Sequence, residues 1–182
     1  MIEDFGLCRL RPNIKQLRFV LLLAVLFPII QESVSFGSSG VVLPNSFATP
    51  GAINPAVSQR NIHSTICTPG YTKTIRPPVA YTNNLKIKQL STRPYSSFQD
   101  SNASNFEEDH LIPLELGGSA VDPKNLWPEP YAGRYGAKLK DKLENRLHLL
   151  VCEGTLSLQA AQRAISSDWY NAYLEYELRK VD

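Results

Sequence analysis

Residues 137–152 (AKLKDKLENRLHLLVC) carry Leu139, Leu143, Leu147 and Leu150 at the spacing that puts them on one face of an α-helix, with Gly154 as the stop. A helix of this kind is stable only when its apolar face is covered, so the rest of the chain must supply a surface for it. A second periodic segment follows, opened by Thr155 or Ser157 as a cap and running through SLQAAQRAISSDWYNAYLEYELRK, in which Leu158, Ala161, Ile165 and Trp169 form a stripe suited to core packing. Upstream of residue 137 the elements are short. Residues 61–90 hold β-branched runs, a turn at Pro69-Gly70 and a helix over 81–90, with Pro77 and Pro78 stopping anything regular between them, and residues 91–105 (STRPYSSFQDSNASN) read as a surface loop. Strand signals over residues 110–116 and again over 125–127, separated by Gly117-Gly118, predict an irregular hairpin that leads into the helix. The expected fold class is α+β: a hairpin-plus-helix unit over residues 107–152, with a loop-rich segment before it and a helix after it.

The first 35 residues stand apart from this fold. Arg9, Arg11, Lys15 and Arg18 precede the apolar run FVLLLAVLFPII, and Ser33 and Ser35 follow at the spacing a signal peptidase reads. Cleavage near Ser35 is expected. The rival is an uncleaved anchor, but the run has twelve residues with Pro28 among them, against the roughly 20 a spanning helix needs. Residues 36–60, rich in Gly, Ser, Pro and Asn, are expected to be a flexible tether in which order begins near residues 49–53, and the domain proper is expected over residues 61–182. These features predict a secreted or periplasmic monomer with no stable membrane association once the signal is removed. The whole chain has a net charge of +2; without residues 1–35 it keeps 15 basic and 14 acidic residues, a net charge of +1. That near-neutrality excludes a polybasic binder that coats nucleic acid by counterion release alone. Any nucleic-acid contact must be local.

Cysteine usage agrees with export. Cys8 lies in the segment to be removed, which leaves Cys67 and Cys152 to pair as a disulfide in an oxidising compartment. A competing arrangement exists, because His63 precedes Cys67 by four and His148 precedes Cys152 by four, and two H-x-x-x-C units could build a tetrahedral zinc site.

The chemistry is concentrated in EEDHLIPLELGG. Hydrolysing a phosphodiester requires a base to activate water and a positive charge to hold a nonbridging oxygen, and a carboxylate beside an imidazole can supply a base and a cation ligand together. Successive strand residues point to opposite sides, so Asp109 and His110 reach one point only at an irregular strand end. The ordered run DHLIPLELGG, then DPKNLWP, then GAKLKDKLE resembles the HNH (ββα-metal) endonuclease family over about residues 105–152, and in its flanking segments a bacterial exported subgroup of it. The resemblance implies His110 as general base, Asp109 as a metal ligand, and Asn125 as the residue that holds the loop between the strands and orients the histidine. It also implies one divalent ion, Mg²⁺ ahead of Mn²⁺ or Zn²⁺.

The family places a further ligand near the helix start, where this chain offers Asp141 as the best hard-oxygen donor, although a helical projection turns it away from the leucine face together with Asn145 and His148. Two alternatives follow: a single carboxylate with waters and substrate phosphates holds the ion, or Lys138 takes the third position and the site is weakened. Glu107 and Glu108 could add negative charge beside the pair. Arg134, Lys138, Lys140 and Lys142 form a basic cluster at the helix start that could meet a DNA or RNA backbone, and Trp127 or Tyr135 could stack on a base. The expectation is an exported metal-dependent endonuclease acting on DNA, with RNA as a second candidate substrate, and with little sequence preference. Its rival is a degenerate scaffold that binds nucleic acid or a surface polymer without cutting.

Overall fold

The structure is a computed structural model that describes residues 40–132 and 135–178. The expected signal segment and its cleavage point lie outside the described residues. Regular structure among the described residues comprises α1 (Tyr71–Ile75), α2 (Val79–Ser91), β1 (Phe106–His110), β2 (Leu126–Pro130), α3 (Ala137–Cys152) and α4 (Leu158–Tyr173), with short 3-10 turns before and between them and a π-helical turn (Leu174–Leu178) after α4. The fold is mixed α+β with a two-stranded antiparallel sheet. No helix among the described residues is long and apolar enough to cross a membrane.

The periodic segment at 137–152 forms α3 over those residues. Leu143, Leu147 and Val151 are fully buried and join Ala161, Ile165 and Trp169 of α4 in one core cluster, each large side chain worth about 1.5–3 kcal/mol by its removal from water. Leu139 packs on the edge of that cluster. Ser157 caps α4, its side chain accepting from the Ala160 amide at 3.2 Å. α4 is interrupted at Asp168, whose backbone is extended and whose carboxylate accepts from the Asn171 amide at 2.9 Å, acting as a cap for the turns that follow. A uniform apolar stripe gives no sign of that break.

The hairpin differs from the expected one in its first strand. β1 ends at His110 rather than beginning there, and pairs Phe106 with Pro130 through His110 with Leu126. Beyond His110 the chain leaves the sheet: Leu114–Leu116 is a 3-10 turn and Gly117 is left-handed at φ 70°. Pro113 has no N–H for a ladder, and residues 111, 112, 114 and 116 are buried because the loop folds inward. Apolar content alone suggested a strand.

Within the segment expected as a tether, residues 40–60 are described and make defined contacts with the rest of the fold. Thr49 is buried and shares a 2.6 Å hydrogen bond with the Tyr95 hydroxyl. Ala52 accepts from the Ser119 amide at 2.8 Å, and the Asn54 amide donates to Gly117 at 2.8 Å. Residues 49–54 therefore line the outer side of the loop between the strands. Cys67 and Cys152 form the expected disulfide, Cα atoms 5.7 Å apart across a separation of 85 residues, joining the loop-rich front segment to the last residue of α3.

Candidate functional site

Asn125 is fully buried, immediately before β2, and ties together both ends of the loop after β1. Its Oδ1 accepts from the Ile112 amide at 2.9 Å, and its Nδ2 donates to the Ile112 carbonyl at 2.9 Å and to the Ser119 carbonyl at 3.0 Å. Gly118 sits so close that a Cβ there would lie 1.7 Å from the Ile112 carbonyl oxygen and 2.8 Å from Asn125 Nδ2. Only glycine leaves room for the side chain that closes the loop.

The closed loop presents a carbonyl to the histidine. His110 is buried, and its Nε2 lies 3.0 Å from the Ala120 oxygen. A carbonyl only accepts, so Nε2 carries the proton and Nδ1 keeps the lone pair. The direct orienting partner is thus Ala120, one residue past the Ser119 that Asn125 holds. Burial lowers the His110 pKa, and Lys140 and Arg76 add to this against the opposing pull of the Ala120 bond and Asp109, so the ring is held below its ordinary value and is neutral at pH 7.

Asp109 meets a partner that sequence reasoning assigned elsewhere. Lys140, expected on a basic surface facing nucleic acid, is fully buried on the core side of α3. Its ammonium donates to Asp109 Oδ2, to Glu144 Oε1 and, at 2.9 Å, to the His110 carbonyl. Glu129 Oε2 is 3.8 Å away. Burial pushes the Asp109 carboxyl up, but the Lys140 charge and the hydrogen bond it donates outweigh it, leaving it ionised below the usual carboxylate range. Glu129 goes the other way: it is buried with no hydrogen-bond partner at either oxygen, and burial, with the Asp109 charge adding to it, holds its pKa well above the ordinary value against the pull of Lys140, so it is a neutral acid. Burial likewise raises Glu144 to about 8, against the pull of Lys140. Burial lowers the Lys140 pKa, but the ionised Asp109 above all outweighs it, and Lys140 stays protonated.

This arrangement decides how well a divalent ion fits. The oxygens of Asp109, Glu144, Glu129 and the His110 carbonyl are hard donors of the kind Mg²⁺ takes, yet Lys140 directs all its N–H groups at three of them. With that ammonium in place the residues do not fit a divalent ion. Lys140, not Lys138, is the lysine beside Asp109. Asp141 is exposed and belongs to no ligand group; its neighbour one position earlier faces β1, and one residue is a turn of about 100° on a helix. Asp109 acts on Asp141 only through space, adding to the upward push of partial burial.

Of the other expected contacts, Lys138 and Lys142 are exposed on α3, four residues apart on its outer side, and Arg134 lies outside the described residues. Trp127 is fully buried beneath the hairpin with Tyr95 and Leu111 and is closed to a base. Tyr135 packs edge-on against Tyr170, ring centres 4.9 Å apart. Cys67, His148 and Cys152 offer ligand atoms within 4.8 Å of one another, a group that could bind a metal ion. Both sulfurs are joined in the disulfide, and His63 is not part of the group.

Asp109 and His110 both line a cleft of about 210 Å³ whose other walls include Arg76, Asn83, Lys86, Glu107 and Glu108. Arg76 caps α1, its backbone N–H donating to the Thr72 carbonyl at 3.0 Å, while its guanidinium has no hydrogen-bond or ion-pair partner among the described residues; its charge reaches His110, Glu107 and Glu115. Lys86 of α2 donates to the Phe106 carbonyl at 2.8 Å. Glu108 is buried without a hydrogen bond, and burial followed by the Asp109 charge raises it to about 8. Sequence reasoning missed Arg76, Lys86, Glu129 and Glu144. Glu144 had a legible signal, four residues after Lys140 on one helix face; the others are assembled only by the fold. Compared with family models, with curated proteins and with solved structures, the chain matches none, so its chemistry is argued from the geometry above.

Proposed function

We propose that this protein is an endonuclease that hydrolyses phosphodiester bonds of DNA, with RNA as a second candidate substrate, and with little sequence preference. One observation carries the reading: a neutral imidazole, its Nε2 committed to Ala120 and its Nδ1 free, lines the same cleft as an ionised aspartate and two cations. In this mechanism His110 Nδ1 takes a proton from water as the oxygen attacks phosphorus. The bond to the departing sugar oxygen breaks, and that oxygen takes a proton from solvent. Arg76 and Lys86 neutralise the nonbridging oxygens, and Asp109 stabilises the imidazolium formed beside it. The HNH resemblance of DHLIPLELGG and Asn125 supports the same roles for His110 and Asn125. The disulfide supports an oxidising compartment such as a periplasm or the outside of a cell.

A second reading, a scaffold that binds nucleic acid without cutting, is favoured by Lys140 standing where a catalytic ion would help. Plasmid digestion by the full chain separates the two, with Mg²⁺, Mn²⁺, Zn²⁺ or EDTA and beside His110→Ala. The endonuclease cuts, and the variant is slower by roughly 10²-fold or more. Equal cutting by His110→Ala ends the base assignment; retardation of the plasmid without cutting in any buffer favours the scaffold.

A further inference from the structure

A lysine ammonium has three N–H donors and no acceptor, and burying it costs several kcal/mol unless each donor is met. Lys140 meets them with Asp109 of β1, the His110 carbonyl of β1 and Glu144 of α3. Glu129 of β2 adds a fourth oxygen at 3.8 Å, 1% exposed, with neither of its oxygens engaged by a hydrogen-bond donor. A surface ion pair has no such shell. Four oxygens from three elements, one of them buried and without a hydrogen bond, surround a single positive point, which is how proteins hold a hard cation.

We infer that these oxygens form a cation pocket whose cation is supplied by the chain itself: the Lys140 ammonium occupies the position a divalent ion would take beside Asp109, and the wild-type protein binds no divalent ion there. An ammonium is a compact point charge on a flexible stem. It is also tethered, so it competes with free ions at an effective concentration on the order of millimolar or more. The pocket adjoins the proposed catalytic cleft, because Asp109 belongs to both. Its consequence for catalysis, cleavage that persists in EDTA, rests on the endonuclease reading; the occupancy itself does not.

The test reads ion binding and stability. Mn²⁺ is titrated into the full chain with the free-ion signal followed by electron paramagnetic resonance, and the thermal midpoint is compared in Mn²⁺ and in EDTA. The wild type shows no binding that Asp109→Asn removes and no change of midpoint. Lys140→Ala, which leaves the oxygens without a cation, binds one Mn²⁺, melts lower than the wild type in EDTA and recovers with Mn²⁺; adding Asp109→Asn abolishes both responses. If Lys140→Ala does not fold, Lys140→Gln carries the same readout with a neutral side chain of similar length. Wild-type binding that depends on Asp109 overturns the inference, and so does the absence of Mn²⁺ binding in both Lys140 variants. Failure to cut DNA sinks the endonuclease reading and leaves the ion result standing.

Discussion

Asn125 grips Ile112 by both backbone groups, accepting from its amide and donating to its carbonyl at 2.9 Å each. Asn125→Ala would leave these groups and the Ser119 carbonyl buried without partners, at about 1–3 kcal/mol for each. The expected result is a loss of roughly 3 kcal/mol or more in urea unfolding, with a loss of activity, because the Ala120 carbonyl would no longer be held against His110. Asn125→Asp should behave similarly, since a carboxylate accepts but cannot donate to two carbonyls. A variant of wild-type stability would show that other contacts close the loop.

Activity should follow the ionisation of His110. Burial lowers its pKa, so the base is free across the neutral range and the rate falls only on the acid side of the ordinary histidine value, near about 6.5. The kcat/KM profile measured from about pH 4.5 to 8 should therefore be flat above neutrality. A profile still rising between about pH 7 and 8 would place the controlling group elsewhere.

Stability should have the opposite dependence on pH. Glu108 and Glu144 are each raised to about 8 by burial. Below the ordinary glutamate value both folded and unfolded chains hold these protons, and the contribution is intact. Between that value and about 8 the unfolded chain gives them up more readily, so stability falls as pH rises. Asp109, held below its ordinary value, loses its contribution only as the solution becomes strongly acid. Urea midpoints should be higher at about pH 5 than at about pH 8, and Glu108→Gln or Glu144→Gln should flatten the difference. Equal midpoints in the wild type would show that the two carboxyls are not held neutral.

Breaking the disulfide should be costly. It closes a separation of 85 residues, for which the loss of unfolded-chain entropy corresponds to about 4–5 kcal/mol. The double variant Cys67→Ser/Cys152→Ser is expected to lose about 2–5 kcal/mol in denaturant unfolding. A loss well below that range would mean that core contacts between α3 and the front segment suffice.

The parts of the fold legible in the sequence are those with a local cause. Leu143 and Leu147 announce α3, Ser157 announces α4, and two cysteines left in an oxidising context announce their bond. Residues 110–116 misled because burial in an inward loop and burial in a strand produce the same apolar letters. Lys140 misled for a different reason. A lysine among lysines reads as solvated, and its burial depends on acids brought from β1, β2 and α3, of which only Glu144 is near it in sequence. Arg76, in the TIRPP turn, reaches the cleft only through the packing of its neighbourhood.

α3 is a beam pinned at both ends. Lys140, in its first turn, is tied to β1 by an ion pair with Asp109 and a hydrogen bond to the His110 carbonyl, and Cys152, its last residue, is tied to the front segment by a covalent bond. The pins stand about 18 Å apart at 1.5 Å per residue. A rod fixed at two separated points has no free pivot, so α3 cannot slide or tilt without tearing out an ion-paired lysine or cleaving sulfur from sulfur. Closing the bridge while the chain folds therefore also sets the register in which the ammonium is delivered to Asp109, and the redox state at one end of the rod becomes a mechanical condition on the charge at the other.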